Sequence, residues 1–452
     1  MKIIVCGAGR IGKSMVSYLS QGNNDIVVID KDQRRLDEIA KEWDVMPVMG
    51  EASHPDVLEK AGALNADLIL AVTNVDEVNL VACQVADYLF QVRKKIARID
   101  SKEFLNPLWC ELFNEQHIAV DLLISPDYEI ASAIYSIIKI PGTSSVMSFP
   151  DQKLYLLSIK CIDACPLLKT PIAHLEMAAP NLKISPVSVV RNGKNFIPGA
   201  DFTLEYGDEF YFLVEEDGIE DAIHDFGMDR PANEKILIFG GNYISQFLAR
   251  KLEDDDSITS CKIIDEDRES ASRLARDLDH TTVLYGEMMS DVILDEAGID
   301  NVDVTVSVTL KDKDNLLASL IARQNGAHST ISLVNSRAYN TLVSNFRDSI
   351  IVDSSSVTVS AILKELRKSK ITKAFSLGRG FGEVWEIKID EKSAIIDKKI
   401  VELDLPDNSK ICAICREGQI IYPTLYDKIQ EGDSVILFTS SKAIRRVEKI
   451  FS

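Results

Sequence analysis

No apolar run in the 452 residues approaches the roughly 18 that a membrane-crossing helix needs, so no direct membrane insertion is expected. The apolar opening of residues 1–7 is too short for a secretory leader, since it runs straight into Gly9 and Arg10. Cysteine is sparse at eight, and Cys6, Cys83, Cys261 and Cys412 sit inside apolar runs. Reduced, buried thiols are expected rather than a disulfide framework. Cys412 and Cys415 form the one Cys-x-x-Cys, with no second pair at a zinc-site spacing, so no metal site is expected. Positive charge is also short, at 50 Lys plus Arg against 70 Asp plus Glu, a net charge of −20. A surface of that sign repels phosphate backbones and anionic lipid, which excludes nucleic acid and bare membrane as first partners.

What is present is a globular composition, 46% hydrophobic and 27% charged, at a length that suggests two to four domains. The chain is also written twice. KIIVCG at 2–7 matches KILIFG at 235–240, Asp30 matches Asp265, and Gly50-Glu51 matches Gly286-Glu287. Gly62 matches Gly298, Thr73 matches Thr309, and Asn79 matches Asn315. Between Gly7/Gly240 and Thr73/Thr309 the offset grows only from 233 to 236, with the extra residues near Asp254-Asp255-Asp256. The repeat continues through Arg191 with Arg416, Pro198 with Pro423, and Gly207-Asp208 with Gly432-Asp433.

Each copy holds two modules. In the first, apolar runs at 3–6, 26–29, 68–72, 96–99 and 120–124 read as buried parallel strands, separated by helical periodicity at 11–19, 36–43 and 78–90. That alternation predicts an α/β fold, a Rossmann-like doubly wound parallel sheet. In the second, short runs at 154–159, 188–190, 196–197 and 209–214 with glycine turns predict a small α+β domain. The expected domains are 1–138 and 139–229 for the first copy, and 233–368 and 371–452 for the second.

Gly7-Ala8-Gly9-Arg10-Ile11-Gly12 follows a strand and opens a helix, the context a dinucleotide fingerprint requires. Gly7 permits the tight turn, Gly9 lets backbone N–H groups approach a pyrophosphate, and Gly12 lets helix and strand pack closely. The helix N-terminus adds partial positive charge for the anion. Asp30 ends the next strand 18 residues after Gly12, where a carboxylate accepts from ribose hydroxyls and repels a 2′-phosphate. NAD or NADH, or an adenosine nucleotide, is therefore favoured over NADP. The same residues spell a P-loop, Gly7-x-x-x-x-Gly12-Lys13-Ser14, but the second copy loses Lys13 and Ser14 while keeping the acid as Asp265. Ribose recognition explains that retention and metal binding does not. The second loop, Gly240-Gly241-Asn242-Tyr243-Ile244, puts Asn242 and Ser245 where the first has Gly9 and Gly12, so a weaker or empty site is expected.

No catalytic residue stands out. The six histidines are scattered and none recurs in the other copy, and no zinc-protease or nucleophile-elbow motif is present. The nucleotide reads as a signal rather than a reagent, with an NAD-dependent oxidoreductase as the alternative and a P-loop phosphohydrolase third.

The doubled plan, with the Gly7–Gly12 loop, Asp30, Gly50-Glu51-Ala52, Ala71-Val72-Thr73-Asn74 and Ile96-Ala97-Arg98-Ile99, resembles the TrkA family. Its members are cytosolic NAD-binding regulatory subunits of Trk potassium-uptake systems, built from RCK modules. The resemblance covers essentially the whole chain. It implies that Gly7 to Ile11 wrap the pyrophosphate, Asp30 holds the adenosine ribose, Glu51 lies near the adenine, Thr73 and Asn74 face the nucleotide, and Arg98 reaches phosphate. In the second copy Asp265 and Thr309 survive, while Leu310 and Leu333 replace Asn74 and Arg98. The resemblance also implies NAD or NADH, or ATP or ADP, as ligand, and a separate membrane potassium-translocating subunit as partner. It implies a homo-oligomeric gating ring and a cytoplasmic location at the inner face of the membrane through that partner. Residues 127–139, with Ile130, Ile134, Ile137 and Ile138 at helical spacing and a repeat around 357–367, read as an ordinary core helix or, as the resemblance implies, a crossover helix that packs against a partner module. The acidity then has a use, because membrane subunits carry excess Lys and Arg on cytosolic loops.

Overall fold

Period-two and period-3.6 segments alternate through residues 2–126, and the chain closes them into a parallel sheet. The computed structural model describes residues 1–20, 24–105, 107–113, 117–228, 231–336, 349–366, 370–377 and 381–451. Strands β1 (Lys2–Cys6), β2 (Asp25–Asp30), β3 (Met46–Met49), β4 (Leu68–Ala71), β5 (Lys94–Arg98) and β6 (Leu122–Ile124) pair in the order β3-β2-β1-β4-β5-β6. Helices α1 (Arg10–Leu19), α2 (Gln33–Glu42), α3 (Pro55–Lys60) and α4 (Asp76–Phe90) connect them, and α5 (Pro126–Lys139) follows. The order reverses between β1 and β4, which opens a crevice at their carboxyl ends. Strand residues such as Ile4, Ile29, Ile69 and Ala97 are fully buried with Leu58 and Cys83 from the helices.

The next module is antiparallel: β7 (Ser145–Phe149), β8 (Leu154–Lys160), β9 (Ile184–Arg191), β10 (Lys194–Phe196) and β11 (Glu209–Glu215), in the order β10-β9-β11-β8-β7. It carries α6 (Leu175–Ala178) and α7 (Ile219–Asp225). Phe226, just beyond α7, stacks on Phe212 of β11 with ring centroids 5.5 Å apart.

The second copy repeats both sheets. Strands β12 (Lys235–Phe239), β13 (Ser260–Asp265), β14 (Thr282–Tyr285), β15 (Val304–Ser307), β16 (Ser329–Val334) and β17 (Ser349–Asp353) take the order β14-β13-β12-β15-β16-β17. Their helices are α8 (Tyr243–Glu253), α9 (Arg268–Asp277), α10 (Asp291–Ala297), α11 (Asp312–Gln324) and α12 (Ser354–Leu366). Then come β18 (Ile371–Leu377), β19 (Gly382–Lys388), β20 (Ser409–Arg416), β21 (Gln419–Ile421), β22 (Ser434–Ser440) and α13 (Ile444–Phe451). Their sheet order, β18-β19-β22-β20-β21, is that of the first antiparallel sheet read from its β7 edge. The duplicated Rossmann-like plan with small α+β partners is thus what the chain adopts.

Two strands go beyond the apolar runs. β3 contains Pro47 and leaves Met46 and Met49 exposed, and Pro is tolerated there because β3 is a sheet edge. β7 is likewise an edge strand, half-buried except for Phe149 and interrupted by Ser145 and Ser148, so it lacks a continuous apolar signature. The seven cysteines among the described residues are free and buried.

The chain divides into two compact units, one of residues 1–126, 355–368 and 441–445, the other of 127–354, 369–440 and 446–452. The helices that follow the parallel sheets are therefore exchanged: α5 groups with the second sheet, and nearly all of α12 with the first. Within the second unit, Tyr128 of α5 meets Phe247 of α8 edge-on at 5.6 Å. The Tyr135 hydroxyl donates to Asp255 Oδ2 at 2.9 Å, and Lys139 pairs with the same carboxylate at 2.8 Å. The two antiparallel sheets, also within this unit, share one apolar cluster that includes Phe149, Leu156 and Leu213 with Val384, Cys412 and Phe438. Ser185 Oγ donates to the Cys412 carbonyl at 2.7 Å and Lys410 Nζ to the Pro186 carbonyl at 2.9 Å. Each small module completes its core against the other.

Candidate functional site

The crevice beside β1 and β4 carries the glycine loop. Gly7 sits at φ +107°, where a side chain is strained, and its N–H donates to the Ile29 carbonyl at 2.7 Å. A Cβ on Gly12 would lie 1.8 Å from the Gly7 carbonyl oxygen, so only glycine lets α1 approach the loop this closely. Helix α1 begins after Gly9 with no side-chain cap, which leaves its first N–H groups aimed at the crevice. Ile11 is buried as an anchor while Arg10 is exposed at the mouth.

Asp30, at the end of β2, is 9% exposed and faces the loop. Its Oδ2 accepts from the Ala8 N–H at 2.6 Å and its Oδ1 from the Asp32 N–H at 2.8 Å. Each oxygen keeps a further lone pair, so the carboxylate can still accept from a ligand hydroxyl. Glu51 is half-buried in the turn after β3, where the Gly50 N–H donates to the Asp30 carbonyl at 3.1 Å. Thr73 and the exposed Asn74 follow β4 at the other wall. The Arg98 guanidinium makes a two-point pair with Asp100, at 2.9 and 2.7 Å.

Two buried residues set this wall and were not singled out as site residues from sequence. Asn79 accepts from the Thr73 N–H and hydroxyl at 2.9 and 2.8 Å and donates to the Thr73 and Arg98 carbonyls at 3.1 and 2.9 Å. Asp76 accepts from the Asp100 and Ser101 N–H groups, both at 2.9 Å. Their recurrence was the available signal: Asn315 makes the same four bonds to Thr309 and Leu333, and Asp312 accepts from Asn335 and Ser336.

A P-loop would send Lys13 to the phosphates. Here its ammonium lies 2.6 Å from Glu42 at the end of α2, and 5.5 Å from the Trp43 ring centroid. Ser14 Oγ donates to the Arg10 carbonyl at 3.0 Å inside the helix.

The second loop keeps the turn and ties its own side chains to the surrounding backbone. Gly240 is at φ +100° and donates to the Ile264 carbonyl at 2.9 Å, as Gly7 does to Ile29. Asn242 caps α8, its Oδ1 accepting from the Ser245 N–H at 3.2 Å, and its amide donates to the Val308 carbonyl. Ser245 Oγ donates to the Gly240 carbonyl, the spot a Cβ on Gly12 would strike in the first copy. Ser270 and Arg273 both reach the Gly241 carbonyl, and Arg273 lies 5.3 Å from the Tyr243 ring centroid. Ile244 is buried, while Asp265 and Thr309 are half-buried beside this closed loop. A Cβ on Gly241 would sit 2.2 Å from Asp265 Oδ2.

Residues 3–126 and 236–370 match the TrkA-N domain, and 384–452 the TrkA-C domain. The Trk system potassium uptake protein TrkA of Azorhizobium caulinodans is 33% identical over 451 residues, covering 100% of this chain and 98% of that one. That of Vibrio alginolyticus is 32% identical over 455 residues, with the same coverage. Among solved structures, the GsuK channel bound to NAD superposes with TM-score 0.62 at 19% identity, covering 99% of this chain and 78% of that one.

Proposed function

The chain belongs to the TrkA family, and on that premise we propose that it is a regulatory subunit that senses a nucleotide and gates potassium uptake by a separate membrane-embedded Trk-type subunit. The observation that carries the reading is the contrast between the loops. One leaves the α1 N-terminus uncapped above Asp30, and the other satisfies its helix with Asn242. An uncapped helix end beside a glycine turn is suited to a pyrophosphate, and Asp30 to an adenosine ribose. The ligand is NAD or NADH, with ATP and ADP as competitors for the same loop. It acts as a signal and the chain catalyses no reaction on it. GsuK, solved in an NAD-bound form, supports that choice by analogy of fold alone.

In this reading Gly7 to Gly12 hold the pyrophosphate, Asp30 the ribose, Glu51 and Thr73-Asn74 the flanking faces, and Arg98 reaches phosphate by exchanging its pair with Asp100. Nucleotide binding biases one of two arrangements of the modules, which requires different affinity for the two. The chains assemble as a homo-oligomeric ring at the inner face of the membrane, held there by the membrane subunit. Support for assembly comes from an exposed apolar pair at equivalent positions of α4 and α11, Val81 and Leu317 at 46 and 47%, with Tyr88 and Leu89 also exposed on α4 and Leu320 on α11. Exposed apolar side chains on both helices suit contact with further copies of the same chain.

Calorimetric titration of the full chain with NAD, NADH, ATP and ADP tests the site. One site per chain is expected, and Asp30→Ala should weaken it at least tenfold and remove nucleotide-dependent flux. Two equal sites, or unchanged binding in Asp30→Ala, would overturn the assignment. Turnover of NADH with a metabolite and no membrane partner would favour the oxidoreductase.

A further inference from the structure

Between the two antiparallel sheets of the second unit lies a cleft of about 340 Å³ that the nucleotide reading does not use. Its floor is Glu386 of β19, 3% exposed. Glu386 Oε1 accepts from Ser434 Oγ at 2.9 Å and from Gln152 Nε2 at 3.2 Å. Glu386 Oε2 is buried, with no hydrogen-bond donor. Lys373, directly opposite on β18, brings Nζ to 3.8 Å from that oxygen and 3.7 Å from Asp151. Both distances exceed hydrogen-bond reach, and Lys373 Nζ is itself buried with no hydrogen-bond partner. Buried polar atoms are nearly always satisfied, so an unmatched acceptor beside an unmatched donor asks for a group that supplies both.

The first copy shows how this sheet satisfies itself. Register places Ser158 and Glu209 where the second has Glu386 and Ser434, so the serine and glutamate trade strands. Glu209 accepts from Tyr211 at 2.8 Å, Ser158 at 3.4 Å and Ser144 at 3.5 Å. At the place of Tyr211 the second copy has Ile436, so that hydroxyl is gone and the cleft lies beside Glu386. The rim adds charges of both signs, Asp151 and Glu417 against Lys388.

We propose that this cleft binds a small zwitterion, a molecule carrying an ammonium and a carboxylate on one short frame. The ammonium donates to the Glu386 carboxylate and the Asp151 rim, and the carboxylate accepts from Lys388. Paired charges of this kind form the stronger class of hydrogen bond, and the cleft volume is at the small end of ligand sites. The site is independent of the nucleotide loop.

The test is calorimetry on the full chain with glycine, β-alanine, 4-aminobutanoate and L-arginine, against 1,4-diaminobutane as cation alone and butanoate as anion alone. At least one zwitterion should bind once per chain and neither control should. Glu386→Gln and Lys388→Ala should each weaken it at least tenfold, with circular dichroism reporting the fold. If Glu386→Gln fails to fold, the rim variants Asp151→Asn and Lys388→Ala decide, since both residues are exposed. The proposal is overturned if no zwitterion binds, as when water alone fills the cleft. Equal binding of the diamine, or unchanged affinity in the folded variants, overturns it too.

Discussion

Single residues decide whether each loop is open. Gly9 and Gly12 leave backbone N–H groups exposed, and their replacements Asn242 and Ser245 supply the hydrogen bonds that close the second loop. Elsewhere one residue sets a pH response. Burial pushes Glu383 up to about 8, more than the Trp385 N–H pulls it down, and Glu448 adds to the rise. The unfolded chain ionises near the ordinary value of 4.5, so the folded state holds the extra proton between these limits. Stability should fall as pH rises through that window, by at most about 1.4 kcal/mol per pH unit. Thermal unfolding from pH 5 to 9 should show Glu383→Gln with a flatter profile and the higher Tm at the alkaline end. The loop and Asp30 were legible in the sequence because their spacing is a backbone requirement. Asn79 and Asp76 were not, because they act by holding strand ends and no motif describes that work; only their echo at Asn315 and Asp312 gave them away.

At the scale of elements, alternating periodicity was enough to read the central strands, since β1, β2, β4 and β5 are buried on both faces. The edge strands β3 and β7 were missed because half-buried residues and Pro47 leave no such run. Helix α5 was read as a crossover helix only through family resemblance, and its partner proves to be α8 of the second sheet. That joint rests on Asp255, within the acidic insertion that the first copy lacks. Burial raises the Asp255 carboxyl, but hydrogen bonds from Lys139, Ser257 and Tyr135 outweigh it and hold it well below the usual range. Its contribution is present above the ordinary carboxylate range and is lost as pH falls below it. Tyr135→Phe should cost about 1 kcal/mol at pH 7. Asp255→Asn should destabilise at pH 7 and by less at pH 3, where the unfolded carboxylate has begun to protonate and the folded one has not, read by urea denaturation at both values.

Across the whole molecule, duplication turns a length prior of two to four domains into two copies of one two-module unit. The equivalent exposed pair Val81 and Leu317 on α4 and α11 predicts that Val81→Glu with Leu317→Glu lowers the mass of the proposed oligomer seen by light scattering while circular dichroism is unchanged. An unchanged mass would remove those helices from the assembly. The net charge of −20 makes a second forecast: association with the proposed membrane subunit should weaken steeply between 50 and 300 mM salt. A salt-insensitive complex would leave the charge as a matter of solubility.

The cap that Asn242 places on α8 has a further consequence for how the chain responds to ligand. On the proposed reading of one site per chain, the second module contributes no variable input. Each chain then reads one bit, and its own titration must be hyperbolic. Any Hill coefficient above one in the assembled protein has to arise between chains.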